Sequence, residues 1–330
     1  MNTKTTNFIK ATASVLGGLI VSLCIVELGF RAAALVYRPG LAEPDPAAYR
    51  ILCLGDSSTY GQGASNPARF SYPRQLERIL REANPEKRIQ VFNLGLPGIN
   101  SSQARTRLAF FLPKISPHLV LVCVGINDAW NLEQSRLLDE YRARGIRHVA
   151  LKIRSLLARL KSFRFLRLVM LSRDRPGYRE PVPEFNARTV KRNQAALPDA
   201  AEFRRALSRT LERNFLEMNR DVLESGARIF FLEYHAPGWR HPETIIHELY
   251  RSLGLEYLPV LETFLELDRR GYPVRAQDTW HPNDRGYRVL ARIVSTELHG
   301  RLSIRCPAFP EKPDLLVPGV EKTGNVPSRP

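Results

Sequence analysis

With 330 residues, 44% of them hydrophobic and 25% charged, the chain has the composition of a globular protein and enough apolar material for a conventional core. A fibrous, low-complexity or wholly disordered protein is therefore excluded. Four cysteines, Cys24, Cys53, Cys123 and Cys306, stand far apart without a CxxC pair or a Cys/His ligand spacing, so neither a disulfide scaffold nor a zinc site is suggested. Cys53 and Cys123 sit in apolar runs and are expected to be buried free thiols.

At the N-terminus, Ala11 to Val26 carry no charge. As a helix they span about 24 Å, somewhat short of a ~30 Å hydrocarbon layer. Phe8 and Ile9 can extend the stretch because Lys10 can snorkel, and Glu27 and Arg31 have the i,i+4 spacing of a helical ion pair. Residues 1–38 therefore read as an uncleaved, single-pass signal anchor with its flank. A cleaved signal peptide is the alternative, with Lys4 and Lys10 as its basic region and Ala32 to Ala34 as small residues for cleavage. Arg31, Arg38 and Arg50 balance Lys4 and Lys10, so the positive-inside count leaves orientation open.

After a Pro-containing linker, 39–50, Ile51 to Leu54 reads as a strand that ends in a Gly/Ser-rich turn. Tyr72 to Asn84 follows as a helix. The order repeats with a strand at Ile89 to Leu94, a helix at Ser102 to Leu112, and a fully apolar strand at Leu119 to Val124. A basic insertion, 142–192, then interrupts the pattern with 15 Lys/Arg against three acids, Asp174, Glu180 and Glu184. This segment carries most of the net charge of +16. Within it, HVALKIRSLLARLKSFRFLRLVML interleaves basic and apolar residues at near-helical spacing, as an amphipathic helix on anionic lipid would. A solvated insertion covering the core is the plainer alternative. Nucleic acid is not expected, since no zinc-finger or RNP-type motif accompanies the charge. Beyond it come a helix at Ala201 to Ser225 stopping at Gly226, a strand at Ile229 to Leu232, a weaker fifth strand near Tyr257 to Val260, and a helix at Asp284 to Leu298. A Pro-rich tail, 301–330, is expected to be disordered. Apolar strands alternating with helices over 51–300 predict a three-layer α/β/α sandwich around a mainly parallel, flavodoxin-like five-stranded sheet.

Such sheets bind ligands outside the carboxyl ends of their strands, and the residues there are informative. Gly55-Asp56-Ser57-Ser58-Thr59-Tyr60-Gly61 follows the first strand, Asn93-Leu94-Gly95-Leu96-Pro97-Gly98 the second, and Gly125-Ile126-Asn127-Asp128 the third. Asp278-Thr279-Trp280-His281-Pro282-Asn283 lies near the end. The four blocks in this order resemble those of the SGNH hydrolases, also called the GDSL-like esterase/lipase family, and the membrane-anchored bacterial members in particular. The resemblance covers roughly Ile51 to Leu298. GDSSTYGQG lacks a P-loop lysine and is not a GxGxxG turn. Nor does the chain show the GxSxG and separate acid and base of an α/β-hydrolase.

A serine on a tight strand-to-helix turn becomes a nucleophile when a base takes its proton, which fits Ser57, with Ser58 and Thr59 as helix-capping residues. Among seven histidines only His281 has a carboxylate, Asp278, three residues before it in a Pro-bounded loop, as the base and orienting acid of a triad require. His235 and His241, each near a proline and after a strand, are the other candidates; His118, His148, His247 and His299 read as structural. The resemblance implies an oxyanion hole built from the backbone N–H of Ser57, the backbone N–H of Gly98 and the side-chain amide of Asn127, with Gly95 the competitor of Gly98. Asp128 reads as a brace for its loop. The expected function is a serine esterase that removes an acyl or acetyl group from a glycan or lipid ester at the cell envelope, through an acyl-serine intermediate. No metal or organic cofactor is implied. An acyltransferase using the same triad, and a non-catalytic membrane-surface or polysaccharide-binding protein on the same fold, are the alternatives.

Overall fold

The continuous apolar runs become neighbouring strands of a single parallel sheet in the computed structural model, which describes residues 3–36, 42–140, 149, 153, 157, 160–163, 165–166, 200–236, 242–278 and 280–309. Two compact units result, residues 42–143 with 193–330, and residues 1–41 with 144–192.

In the larger unit the chain runs β1 (Tyr49–Gly55), α2 (Ser57–Tyr60), α3 (Pro67–Phe70), α4 (Tyr72–Ala83), β2 (Ile89–Gly95), α5 (Ser101–Ile115) and β3 (Leu119–Cys123). A 3-10 turn (Ile126–Ala129) and α6 (Leu137–Glu140) follow. Beyond the basic insertion come α7 (Ala200–Glu224), β4 (Arg228–Leu232), α8 (Pro242–Ser252), β5 (Tyr257–Leu258), α9 (Leu261–Arg269) and α10 (Asp284–Glu297). The strand order is β2-β1-β3-β4-β5, all parallel. Right-handed crossovers then put the β1-to-β2 connection on one face of the sheet and the β2-to-β3 and β3-to-β4 connections on the other. Accordingly α4 packs with α10, and α5 packs with α7.

Because helices cover both faces, β1 and β3 need apolar side chains at every position rather than at alternate ones. Ile51 to Leu54 and Leu119 to Val122 are fully buried. The register aligns Gly55 with Gly95 on one side and with Cys123 on the other, so three strands end level and their loops emerge at one rim. The order of strands also reverses direction between β1 and β3, which leaves a crevice there.

Element boundaries follow the sequence reading within a few residues, with informative departures. Tyr49 and Arg50, expected in the linker, already pair with Ile89 and Gln90. Helices α8 and α9 occupy stretches where no helix was expected. The expected disorder does not begin at 301: Ile304 and Cys306 are buried, Asn84 holds the Arg305 backbone, and Ser295 donates to the Pro307 carbonyl at 2.8 Å. Residues 310–330 lie outside the described residues. Cys53 and Cys123 are buried and free, and burial pushes the Cys53 thiol up to about 12.

In the smaller unit α1 (Thr3–Val36) is a 34-residue helix containing the charge-free stretch. Its Glu27 pairs with Arg31 at 2.8 Å and also accepts the backbone N–H groups of Lys161 and Ser162 at 3.1 and 3.0 Å, while Phe30 lies against Phe165. Among the described residues, no helix is long and apolar enough to cross a membrane. Of the basic segment, Val149, Ile153 and Leu157 carry helical backbone and are exposed; most of the expected amphipathic helix lies outside the described residues.

Candidate active site

The turn after β1 is built by small residues. A Cβ at Gly55 would run into the Thr59 side chain, and one at Gly95 into the Tyr60 backbone, so both glycines let the short helix α2 lie directly on the strand ends. Asp56, not Ser58 or Thr59, caps that helix: its carboxylate accepts the Ser58 N–H at 3.0 Å. Ser57 is thereby the first residue of α2. Its own N–H belongs to the set that helix geometry leaves without an intrahelical acceptor.

His281 comes from a loop between α9 and α10 that folds back on itself. Arg275 bridges Pro282, and the Ala276 N–H donates to the His281 carbonyl at 2.8 Å. Asn283 fixes the exit by accepting from the Arg285 and Gly286 N–H groups, both at 3.0 Å, and donating to the Pro273 and Arg275 carbonyls. Within the loop the Asp278 carboxylate accepts the backbone N–H groups of Trp280 and His281 at 3.0 and 2.9 Å.

Three of the expected residues meet at the rim. Ser57 Oγ lies 2.9 Å from His281 Nε2, and His281 Nδ1 hydrogen-bonds Asp278 Oδ2 on its other side. Ser57 is 8% exposed, against 1% for its neighbour Ser58. Burial alone would raise the Asp278 carboxyl, but the hydrogen bond and charge of His281 outweigh it and hold it below its ordinary value. An ionised Asp278 keeps the Nδ1 proton in place, leaving Nε2 as the acceptor for the serine proton.

Behind Ser57 the buried carboxylate of Asp56 is a hub. It accepts from the Tyr234 hydroxyl at 2.7 Å and from the Asn127 amide at 3.2 Å, besides the Ser58 N–H. Burial raises its pKa, against the pull of those donors. The second Asn127 N–H donates to the Ile99 carbonyl at 3.0 Å, and Asn127 Oδ1 accepts from Trp130 Nε1 at 2.9 Å. Both amide protons are thus engaged within the chain, so Asn127 reaches a substrate oxygen only by giving up one of these partners. Gly98 turns the chain with φ at +77°, beside the Trp130 ring, and its carbonyl accepts from Asn131 at 2.6 Å. Gly95 stays in β2 against α2, where its N–H donates to Asn93 Oδ1 at 2.9 Å; it is a packing glycine. Asp128 accepts the Ser101 N–H and hydroxyl at 2.7 and 2.6 Å and so braces the start of α5. Burial raises its carboxyl to about 7.

The remaining histidines divide as their surroundings dictate. His118 Nδ1 accepts the Arg50 N–H, His247 lies 3.9 Å from Glu233, and His299 Nδ1 meets the Cys306 carbonyl. His241 and His148 are outside the described residues. His235 is buried beside Ser58 rather than Ser57. Residues whose part was not foreseen are Asp56, Tyr234, Trp130 and Arg275. For Tyr234 a signal existed in its place just after β4, where a doubly wound sheet puts its working loops. Among the described residues no cluster of His, Cys, Asp and Glu could hold a metal ion.

Residues 53–228, more than half of the chain, match the family model for the GDSL-like lipase/acylhydrolase family. The chain belongs to that family. The match takes in Ser57, Gly98 and Asn127 but ends before Asp278 and His281; their place in this GDSL-like protein rests on the distances above. An ester hydrolase with a serine nucleophile is what membership means. No curated protein matches this chain. Solved structures similar to it include an acetylxylan esterase from Geobacillus stearothermophilus, 17% identical with a TM-score of 0.46, the match covering 81% of this chain and 100% of that one. An α/β hydrolase enzyme, LAE5, from the metagenome of Lake Arreo, Spain, is 17% identical with a TM-score of 0.44, covering 78% and 97%. A gut microbial diltiazem-metabolizing enzyme is 16% identical with a TM-score of 0.44, covering 77% and 47%.

Proposed function

We propose that this GDSL-like hydrolase cleaves an acyl or acetyl ester, carried by a glycan or lipid of the cell envelope, through an acyl-Ser57 intermediate. The observation that carries the chemistry is the 2.9 Å contact between Ser57 Oγ and His281 Nε2, with Asp278 on the far side of the ring. His281 takes the hydroxyl proton as Oγ attacks the ester carbonyl. The developing oxyanion is held by the N–H groups of Ser57 and Gly98, joined by the Asn127 amide as it exchanges the Ile99 carbonyl for substrate. His281 then returns the proton to the departing alkoxide, an alcohol leaves, and a water deprotonated by His281 releases the acid and restores Ser57. Asp278 stabilises the imidazolium in both halves.

The envelope setting rests on α1. Val15, Val21, Leu23, Ile25 and Leu28 on it are more than half exposed, and water alone would leave them unfavourably solvated. The described residues alone do not make a spanning helix, so insertion would draw on the whole charge-free stretch together with the Phe8–Lys10 flank. An extracytoplasmic hydrolase domain, with the basic segment toward anionic headgroups, is the orientation this reading adopts.

Labelling with a fluorophosphonate tests the chemistry. The full chain should form an adduct at Ser57, and Ser57→Ala and His281→Ala should abolish it; a folded chain that stays unlabelled refutes the reading. Hydrolysis of a panel of acetylated sugars and short-chain lipid esters then assigns the acyl group, and protease accessibility in cells places the domain relative to the membrane.

A further inference from the structure

A second serine–histidine contact lies directly beside the first. Ser58 Oγ is 3.1 Å from His235 Nε2, and His235 Nδ1 is 2.9 Å from an Arg275 guanidinium nitrogen. A guanidinium only donates, so Nδ1 accepts and the neutral ring carries its single proton on Nε2, aimed at Ser58. The Ser58 backbone N–H in turn donates to the Asp56 carboxylate at 3.0 Å. Arg275, His235, Ser58 and Asp56 therefore form a chain of donors running in one direction, ending on the carboxylate that also receives Asn127.

The same guanidinium ties together parts that are distant in sequence. It donates to the His235 carbonyl at 2.7 Å and to the Trp280 carbonyl at 3.2 Å, and Asp268 at the end of α9 holds it at 2.6 Å. Trp280 precedes His281, and Ser58 follows Ser57. One chain of hydrogen bonds thus links the neighbour of the nucleophile to the neighbour of the base. A second nucleophilic pair is not what this is: Ser58 is 1% exposed, and a ring that donates at Nε2 cannot take the hydroxyl proton. The charged groups facing the ring, Arg275 and His281, favour its neutral form. Ser58 comes from α2, Arg275 and Trp280 from the loop, Phe264 from α9, and His281 stands nearby. Burial first, then the charges of Arg275 and His281, push its pKa well below the ordinary histidine value.

We propose that His235 is a positioning residue: locked as its Nε2–H tautomer by Arg275, it orients Ser58 and Asp56 behind the oxyanion hole and sets the distance between Ser57 and His281. The proposal rests on the esterase reading above. Nitrogen NMR of the imidazoles tests it without reference to activity: His235 should show an unprotonated Nδ1 and a protonated Nε2 from pH 5 to pH 8, and a ring protonated on Nδ1 would overturn it. In kinetics with a chromogenic acetate ester, His235→Phe should lower kcat and the rate of fluorophosphonate labelling on the order of 100-fold, the scale of a small misplacement of reacting groups, with KM unchanged. His235→Gln should recover most of that loss, because its amide can accept from Arg275 and donate to Ser58. A folded His235→Phe with wild-type kcat, or a Gln variant no better than Phe, overturns the proposal. Failure of the wild-type chain to label at Ser57 refutes the esterase reading instead, while the tautomer measurement still decides the hydrogen-bond chain.

Discussion

Two adjacent serines each meet a histidine, and the two contacts work in opposite senses. Behind His281 stands a carboxylate, Asp278, which accepts the Nδ1 proton and leaves Nε2 free to accept from Ser57. Behind His235 stands a guanidinium, Arg275, which donates to Nδ1 and forces Nε2 to donate to Ser58. Exposure separates them further, since Ser57 is 8% exposed while Ser58 and His235 are sealed at 1%. The chemistry of a serine–histidine pair is therefore decided by the sign of the charge behind the ring and by access to substrate, not by the presence of the pair.

The comparison breaks most sharply at the triad. Ser57→Ala or His281→Ala should cost on the order of 10⁴-fold or more in kcat, whereas Ser58→Ala, which removes only a buried hydroxyl, should cost far less. Kinetics on one chromogenic ester for all three variants checks this, and equal losses at Ser57 and Ser58 would undo the distinction. Next, Asp278→Asn should lower kcat about 10³- to 10⁴-fold with the fold retained, because an amide can donate to Nδ1 and impose the tautomer that His235 already has. Asn127→Ala should follow, at about 10²- to 10³-fold in kcat, if its amide joins the oxyanion hole during turnover. A loss confined to thermal stability would make it a brace of Asp56 and Ile99 alone.

The smallest effects concern the pH dependence of stability, where two aspartates, the buried Asp128 and the more exposed Asp278, differ in sign. Asp278 is held below its ordinary value of 3.8 in the folded state, so its contribution is present above that pH and is lost as pH falls through the lower folded value. Asp128 is raised from 3.8 to about 7. Its contribution is therefore complete below 3.8 and declines as pH rises to about 7, because over that window the folded chain binds more protons than the unfolded one. Urea unfolding of wild type and Asp128→Asn at pH 5 and pH 8 should show the wild type losing more stability than the variant between the two values. A difference independent of pH would mean that Asp128 titrates normally.

Much of this arrangement was legible along the chain. The runs Ile51 to Leu54 and Leu119 to Val122 are apolar at every position, which only a strand covered on both faces requires, and α7 stops where Gly226 adopts φ +82°. The spacing of Asp278 and His281 in a Pro-bounded loop marked base and acid, since three residues are enough for a side chain to reach back to the ring. Other features had no local signal. Asp56 caps α2 because the register brings Gly55 level with Gly95, leaving room for the helix. Helix α8 begins at Pro242, a residue as much at home at a helix start as in a turn, so its place carried no clear signal. Residues 301–309 pack because Asn84 and Ser295 supply backbone partners from other elements, which composition does not encode.

Local order was sufficient to specify a parallel α/β sheet, its rim of working loops and a serine, histidine and aspartate suited to acyl chemistry, because strand periodicity and loop residues are properties of neighbours. Which nitrogen of each imidazole accepts, where the Asn127 protons go, and how Arg275 joins two loops separated by many residues emerged only on folding. Hydrogen-bond direction depends on the partner that burial brings opposite, and that partner comes from another part of the chain.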